Sequence, residues 1–271
     1  MTHSRRDVMS LLEAHGLTPS RALGQNFVVD PNTVRRIARL AQVGPASHVI
    51  EIGPGLGSLT LALVETGARL DVVEVDRYVI PVLAEVVEPL GVGVHQGDAL
   101  TFDFSTLSQG QPVTVVANLP YNVATPLVLR LLEDALDVTR MVVMVQREVG
   151  ERFAAPPGHE AYGAVSVRLS YFAEARLLGM VPPTVFHPRP KVDSALVEIR
   201  RRPAVAIDPA RVSEQEIFTV VRLAFQQRRK MIRRSLAEWA TEGVFERAGL
   251  TGTERPEELS LEQFATLAQS R

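Results

Sequence analysis

Short apolar segments of strand length alternate with helical patterns between residues 48 and 145, and this alternation limits the possible folds most strongly. Predicted strands cover residues 48–52, 70–75, 92–96, 113–117 and 141–145, and predicted helices cover residues 59–66, 78–87 and 126–135. Continuous apolar strands separated by helices are typical of a parallel sheet that is covered on both faces. The sequence therefore predicts an α/β fold with a Rossmann-like, doubly wound, mostly parallel sheet.

The flanking segments extend this prediction to two domains. Helices are predicted upstream, at residues 4–15 and from Asp30-Pro31, an N-cap followed by proline. Downstream, a helix at 164–170 precedes strands at 175–180 and 195–200, and we expect these strands to form an antiparallel hairpin. After a linker at 202–209, helices are predicted at 213–225, 231–239, 244–248 and 260–268. We expect a larger α/β domain over residues 1–202 and a small helical domain over residues 203–271.

Charge is distributed unevenly along the chain. Lys+Arg 29 against Asp+Glu 31 give a formal net charge of −2, which taken alone argues against a nucleic-acid partner. Residues 200–235, however, hold ten basic and three acidic residues, a net charge of +7, so the other 235 residues carry −9. A solvated helix face is the alternative interpretation of such a cluster. The pattern indicates a candidate RNA-binding segment on an acidic body.

Composition excludes several classes of protein. The chain has no cysteine, which excludes disulfides, thiolate catalysis and zinc sites built on cysteine. No apolar run approaches the roughly 18 residues of a membrane span, and no apolar N-terminal stretch resembles a signal peptide. We therefore expect a cytoplasmic monomer with no membrane partner and no metal.

A glycine-rich turn, Glu51-Ile52-Gly53-Pro54-Gly55-Leu56-Gly57, follows the first strand of the alternation. Glycines there let the backbone approach a ligand at the carboxyl edge of the strand. Glu74 lies 21 positions after Gly53, at the end of the next strand, where an acid accepts hydrogen bonds from ribose hydroxyls. An NAD-dependent dehydrogenase is the first hypothesis, and a purely structural tight turn is the alternative.

Two details favour a different nucleoside cofactor. The dinucleotide pattern requires glycine at position 58, where this chain has Ser58. The next strand also ends in a polar residue, within Gly97-Asp98-Ala99, and an acid there suits the exocyclic amine of an adenine. Taken singly, each of these acids is explained equally well by a cofactor-binding role and by an ordinary polar residue at the end of a strand. Together, Gly53, Glu74 and Asp98 suit a nucleoside without a pyrophosphate, which is what S-adenosyl-L-methionine offers.

Asn118-Leu119-Pro120-Tyr121 follows the apolar strand at 113–117 and is expected to face the same crevice. An exocyclic base amine is a poor nucleophile because its lone pair is delocalised into the ring. Acceptors aimed at its N–H groups favour the tetrahedral nitrogen of methyl transfer. The side-chain oxygen of Asn118 and the backbone carbonyl of Leu119 are candidate acceptors, and Tyr121 is a candidate stacking surface for the base. A strand-ending turn stiffened by Pro120, with a half-buried tyrosine, is the alternative.

Over nearly its whole length the chain resembles the ribosomal RNA adenine N6,N6-dimethyltransferases of the KsgA/Erm type. The resemblance is carried by cofactor motifs at 23–27, 51–57 and 97–99, a target-adenine motif at 118–126, and later signatures at 144–149, 162–167 and 181–194. The fold it implies is that of a class I methyltransferase. The cofactor it implies is S-adenosyl-L-methionine.

The resemblance also assigns roles to individual residues. Asn26 and Val28 would contact the cofactor through the backbone, and Asn118 would bridge the cofactor and the target base. The full cofactor set is Gln25, Asn26, Val28, Glu51, Gly53, Gly55, Glu74, Asp98, Ala99 and Asn118. The catalytic set is Asn118, Leu119, Pro120, Tyr121 and Phe186. Phe186 would form the second stacking face for a flipped adenine, opposite Tyr121, and a core aromatic is the alternative interpretation.

The C-terminal segment distinguishes the branches of this family. Residues 225–236 resemble the housekeeping small-subunit enzymes rather than the antibiotic-resistance branch, with departures at Met231 and Arg234. The residues expected to contact RNA are Arg189, Lys191, Arg222, Arg228, Arg229, Lys230, Arg233 and Arg234. The resemblance implies dimethylation at N6 of two adjacent adenosines in a hairpin loop near the 3′ end of 16S rRNA. The implied partner is an assembly intermediate of the small ribosomal subunit, with a role in subunit biogenesis.

Two other functions compete with this one. The first is methylation of 23S rRNA that confers macrolide resistance, against which the C-terminal motif argues. The second is a ribosome-assembly factor whose catalysis is dispensable, which is compatible with every feature of the sequence.

Overall fold

The structure, a computed structural model, describes residues 2–271. The chain forms two compact units: residues up to Gly150 with Arg176–Arg201, and Glu151–Ala175 with Arg202–Arg271. The junction near residue 201 lies close to the predicted linker, whereas Glu151–Ala175 belongs to the same unit as the C-terminal helices. The functional boundary at 202/203 stays a prediction.

Nine strands occur in the described residues. They are β1 (Phe27–Val28), β2 (His48–Ile52), β3 (Arg69–Glu74), β4 (Gly93–Gln96), β5 (Val113–Asn118), β6 (Val138–Gln146), β7 (Ala173–Val181), β8 (Phe186–His187) and β9 (Ser194–Arg201). Seven of them form one sheet in the order β4-β3-β2-β5-β6-β9-β7, and β1 pairs antiparallel with β8 in a small second sheet. Strands β2 to β6 are mutually parallel and β9 is antiparallel to β6, so the predicted mostly parallel sheet is confirmed.

Six α-helices of the described residues lie wholly within the first unit. They are α1 (Arg5–Ala14), α2 (Pro31–Ala41), α3 (Ser58–Val64), α4 (Ile80–Val87), α5 (Ser105–Ser108) and α6 (Ala124–Asp134). Helix α7 (Arg147–Ala154) follows β6 directly; the sequence did not predict it, α5 or the β1–β8 pair. As predicted, α2 begins with an N-cap at Asp30, whose carboxylate accepts a hydrogen bond from the Thr33 amide at 2.9 Å, followed by Pro31.

The second unit is built from helices. They are α8 (Ala164–Phe172), α9 (Glu214–Gln226), α10 (Ile232–Ser235), α11 (Val244–Arg247) and α12 (Leu261–Gln269). Helix α9 packs against α8, α10 and α12. The helix predicted over residues 231–239 is wrong in extent, because only Ile232–Ser235 is helical and the residues after it form a turn.

The register of the parallel strands determines where their carboxyl ends meet. Ile52 of β2 is level with Val73 of β3 and Ala117 of β5, and Asn118 is level with Met144 of β6. The residues that follow these strands therefore share one edge of the sheet, where α/β proteins bind ligands. No helix in the described part of the chain is long and apolar enough to cross a membrane.

Candidate functional site

A pocket lies at this carboxyl edge, entirely within the first unit. Its lining includes every residue of the predicted cofactor set: Gln25, Asn26, Val28, Glu51, Gly53, Gly55, Glu74, Asp98, Ala99 and Asn118. Leu119, Pro120 and Tyr121 also line it. The structure thus brings residues from five separate segments of the chain to one cavity.

The glycine-rich turn forms the floor of this pocket in a conformation that requires glycine. Gly53 and Gly55 have φ values of 68° and 56°, in the left-handed region. A Cβ at Gly55 would lie 2.8 Å from the ring of Phe27 in β1, so a side chain is also sterically excluded. The turn then runs into α3. At Gly53, where the atom nearest to an added Cβ would be the Asn118 carbonyl oxygen at 3.9 Å, the backbone remains open to a ligand.

Glu74 is buried at the end of β3 and is held by backbone amides. Its Oε1 accepts hydrogen bonds from the amides of Val75 and Asp76, each at 2.9 Å, and its Oε2 accepts one from Gly55 at 3.1 Å. Burial raises the pKa of Glu74, and these three amide donors oppose that effect. The carboxylate therefore connects the glycine turn to the loop after β3.

Glu51 is 1% exposed and has no comparable set of donors. Its Oε2 is buried without a hydrogen-bond partner among the described residues. Burial raises the pKa of Glu51 to about 8, with Glu74 adding to the rise and the nearby Thr60 hydroxyl opposing it. An unpartnered buried carboxyl in the pocket wall is complementary to a polar, cationic group of a ligand.

The segment before β1 forms another wall and is bonded to the sheet edge. The Asn118 side-chain NH2 group donates to the backbone carbonyl of Asn26 at 3.0 Å. The side-chain oxygen of Asn118 is not used in this hydrogen bond. The Gln25 amide donates to Asp76 at 2.7 Å and its oxygen accepts from the Ser20 backbone at 2.7 Å. Asn118 therefore links the two walls directly.

The loop after β4 carries the remaining cofactor candidates and is held by an arginine. Asp98 is exposed, and its Oδ1 accepts a hydrogen bond from the Leu100 amide at 2.9 Å. Arg130 of α6 donates to the carbonyls of Ala99 at 2.6 Å and Phe102 at 2.8 Å. The α6 helix thus fixes the backbone on which Asp98 stands.

The Asn-Leu-Pro-Tyr segment is fixed at both ends. The Leu119 amide donates to the carbonyl of Met144 at 3.0 Å, which continues the pairing of β5 with β6. The Tyr121 hydroxyl is 2.9 Å from the hydroxyl of Ser194, a fully buried residue at the start of β9. Burial raises the pKa of Tyr121, so its phenol remains neutral at physiological pH.

Phe186 differs from the sequence-based expectation. It does not line the pocket: its side chain is 1% exposed and lies in the core with residues such as Val34 and Ile37 of α2. Because β8 pairs with β1 and places Phe186 opposite Val28, the ring is covered by the small sheet. The arrangement corresponds to the alternative interpretation, a core aromatic.

The eight basic residues predicted to contact RNA are all exposed. Arg189 and Lys191 belong to the first unit and the other six to the second. Arg228, Arg229 and Lys230 lie in the turn that follows α9. Their surface position is compatible with binding to RNA phosphates.

Comparisons with known proteins agree with this geometry. A model of the family described as ribosomal RNA adenine dimethylase matches residues 17–270. A ribosomal RNA small subunit methyltransferase A of Thermobifida fusca is 45% identical over 278 residues, which cover 98% of this chain and 94% of that protein. The protein of the same name from Magnetococcus marinus is 43% identical and covers 100% of this chain and 98% of its own length.

The chain belongs to the ribosomal RNA adenine dimethylase family. Solved structures share its fold. The 23S rRNA methyltransferase ErmE superposes with a TM-score of 0.71 at 25% identity, covering 90% of this chain and 98% of its own. A dimethyladenosine transferase from Plasmodium falciparum superposes with a TM-score of 0.73 at 21% identity. The match covers 88% of this chain and 94% of that protein.

Sequence reasoning missed three residues that support the site of this family member. Arg130, Asp76 and Ser194 hold, respectively, the Ala99 carbonyl, the Gln25 side chain and the Tyr121 hydroxyl. Each acts on a residue at least 31 positions away in the chain. Ser194 lies within the 181–194 signature, but its partner is evident only from the fold.

Proposed function

We propose that this dimethylase transfers methyl groups from S-adenosyl-L-methionine to N6 of two adjacent adenosines in a hairpin loop near the 3′ end of 16S rRNA. Each adenosine receives two methyl groups, and the reaction forms part of small-subunit biogenesis. The observation that carries the proposal is the convergence of the predicted cofactor set and Asn118 on one pocket in a member of this family. The substrate is the small subunit or an assembly intermediate of it.

The residues present fit the cofactor. Gly53 leaves the backbone open to a ligand, and Glu51 offers a buried, unpartnered carboxyl oxygen to the amino group of the methionine part. Glu74 is placed to hold the ribose and Asp98 the adenine amine. These assignments rest on position in the pocket and on the chemistry of each side chain.

When bound, S-adenosyl-L-methionine supplies an electrophilic methyl group on a sulfonium centre. Asn118 and the Leu119 carbonyl orient the N6 amine by accepting its N–H groups, which favours the tetrahedral nitrogen of the transition state. Tyr121 offers a ring on which the adenine stacks. The alkylated nitrogen loses its proton to water, so no strong base is required of the chain.

RNA affinity is assigned to the basic residues of the C-terminal domain, residues 203–271, together with Arg189 and Lys191. Phosphate contacts of this kind act independently of sequence and position the RNA. Bases in a hairpin loop are unpaired or weakly stacked, which lowers the cost of moving one into the pocket.

The small subunit is favoured over the large one as the substrate. The relatives at 43–45% identity are named small subunit methyltransferases, whereas the 23S rRNA methyltransferase ErmE is 25% identical. Drug susceptibility after heterologous expression tests the alternative, because only a large-subunit enzyme would confer macrolide resistance.

Radiolabelled methyl transfer to undermethylated small subunits tests the proposal. We expect incorporation with the intact protein and a loss of at least about a hundredfold in rate for Asn118→Ala, because a transition-state acceptor is removed. The Asn32→Ala variant, altered at an exposed asparagine of α2 that does not line the pocket, is the matched control. If the intact protein incorporates no label, the proposed methyltransferase activity is refuted. If Asn118→Ala transfers methyl groups at the full rate, the proposed role of Asn118 is refuted.

A further inference from the structure

Glu198 is a buried acid of the first unit that is paired with three arginines. It lies in β9 opposite Val142 of β6, its side chain is 1% exposed, and it contacts three arginines. The Arg140 Nε lies 2.7 Å from its Oε1, the Arg200 guanidinium 2.9 Å from the same oxygen, and the Arg176 Nε 2.5 Å from its Oε2. Three cations around one anion leave a local charge of +2.

Only one of the three arginines is needed to neutralise the buried carboxylate. The side chain of Arg140 is 15% exposed, and its remaining donors bond the carbonyls of Leu40 and Ala41 at the end of α2. This pair ties β6, β9 and α2 together and balances its own charge. Arg140 is therefore a structural residue.

The other two arginines are surface residues. The side chains of Arg176 and Arg200 are 66% and 55% exposed, and each bonds Glu198 through one nitrogen. Most of the N–H donors of each guanidinium thus face solvent. The three guanidinium groups hold the pKa of Glu198 at about 2 in spite of its burial, so the carboxylate remains charged at physiological pH.

We infer that Arg176 and Arg200 form a phosphate-binding site for the RNA backbone, with Glu198 as the buried anchor that orients both guanidinium groups. The inference rests on the proposed function, which supplies an RNA substrate. Guanidinium forks match phosphate oxygens in geometry, and anchoring them beforehand reduces the entropy lost on binding. Neither residue is among the eight that were expected to contact RNA, although Arg200 is the first residue of the basic segment 200–235.

The site lies within reach of an RNA that occupies the pocket. Arg200 is level with Arg140 on β6, and Met144, four positions further along, is level with Asn118. At about 3.3 Å per strand residue, the separation along β6 is roughly 13 Å.

The test measures binding of undermethylated small subunits by Arg176→Gln/Arg200→Gln over a series of salt concentrations. Each phosphate contact contributes about 0.7–0.9 to the slope of log K against log salt, so we expect the slope to fall by about 1.4–1.8 and the affinity by roughly tenfold or more. Arg69→Gln is the matched control: Arg69 is 60% exposed and lies 3.6 Å from another buried acid, Asp71 of β3. Arg176→Lys/Arg200→Lys keeps the charge and should retain most of the slope.

S-adenosyl-L-methionine affinity is measured alongside and should be unchanged in the double glutamine variant. The melting temperature should fall, because buried Glu198 loses two of its three partners, and it must stay above the assay temperature. The inference is overturned if the salt slope of the double glutamine variant equals that of the wild type. It is also overturned if Arg69→Gln loses as much affinity as the double variant. Loss of affinity with an unchanged salt slope also overturns it, since it indicates altered folding or a non-ionic contact instead of phosphates. Absence of subunit binding by the wild type overturns the proposed function itself, and this outcome is recognised without the variants.

Discussion

Two buried glutamates in the pocket wall behave differently because of their immediate surroundings. Glu74 is satisfied by three backbone amides, whereas Glu51 has an oxygen without a partner. Burial therefore acts on Glu51 with little compensation, and its pKa of about 8 means that it carries a proton at neutral pH in the free protein. The presence or absence of a few hydrogen-bond donors therefore determines the charge of each glutamate in the pocket wall.

The first prediction concerns the pH dependence of stability. Between the ordinary value of 4.5 and about 8, folded Glu51 keeps a proton that the unfolded chain has lost, so the free energy of unfolding falls as the pH rises through this window. The slope contributed is at most about 1.4 kcal/mol per pH unit. Glu51→Gln should remove this contribution. Denaturant unfolding from pH 5 to 8.5 measures it, with the exposed Glu85→Gln as the control, and equal slopes in wild type and Glu51→Gln would contradict it.

The second prediction concerns the tyrosine in the target-adenine motif. Ser194→Ala removes the hydrogen bond to the Tyr121 hydroxyl, and a bond of this type is worth about 0.5–1.5 kcal/mol, so we expect kcat to fall by up to roughly tenfold. Affinity for S-adenosyl-L-methionine should not change. Methyl-transfer kinetics in a double-mutant cycle with Tyr121→Phe provide the check, because Ser194→Ala should have little further effect once the hydroxyl is gone.

At the scale of elements, α6 organises the site from two directions. It begins just after the Asn-Leu-Pro-Tyr segment, and its Arg130 holds the loop that carries Asp98. Its own carboxyl end is fixed by Arg201 of β9, which donates to the carbonyls of Leu131, Leu132 and Ala135. Arg201, counted at first within the basic segment, therefore caps a helix and is directed inward.

The third prediction follows from the contact between α6 and the loop. Arg130→Met should raise the Kd for S-adenosyl-L-methionine by roughly tenfold, because the Ala99 and Phe102 carbonyls lose two charge-assisted hydrogen bonds. The effect should appear in KM for the cofactor more than in kcat. Titration calorimetry measures it. Arg36→Met is the control, since Arg36 also donates to two carbonyls, those of Leu178 and Met180, away from the pocket; equal losses in both variants would point to general destabilisation.

At the scale of the whole molecule, the net charge of −2 is the sum of a basic segment and an acidic body. The structure refines the basic part. Arg201 is taken up by α6, and Arg211 bonds Glu262, Thr266 and Gln269 of α12. Arg228, Arg229 and Lys230 are exposed in the turn after α9, and Arg228 also donates to the carbonyl of Glu160.

The fourth prediction concerns this turn. Arg228→Gln/Arg229→Gln/Lys230→Gln should weaken binding to small subunits and lower the salt slope by about 2, without changing affinity for S-adenosyl-L-methionine. Binding assays over a salt series measure both effects. A triple variant with the same charge change on the body, Arg35→Gln/Arg39→Gln/Arg69→Gln, is the control, and an equal loss there would show that net charge, not this turn, determines affinity.

Much of the fold was predictable because its signals are local. Apolar strands, the glycine turn and the Asp30-Pro31 cap are read from adjacent residues, and the strand ends placed the cofactor set in one pocket. The β1–β8 pair was not predictable, because two-residue strands have no period to detect. The burial of Phe186 could not be predicted for the same reason: only that pairing shows that the ring is covered.

The sequence by itself determined the alternation that makes a parallel sheet and the order of polar residues at its carboxyl edge, since both depend on neighbouring residues in the chain. The tertiary structure decided which side chains share an environment. Arg130 reaching Ala99, Ser194 reaching Tyr121 and three arginines surrounding Glu198 all join distant segments. Burial, and with it the unpartnered oxygen and raised pKa of Glu51, likewise exists only once the sheet is packed.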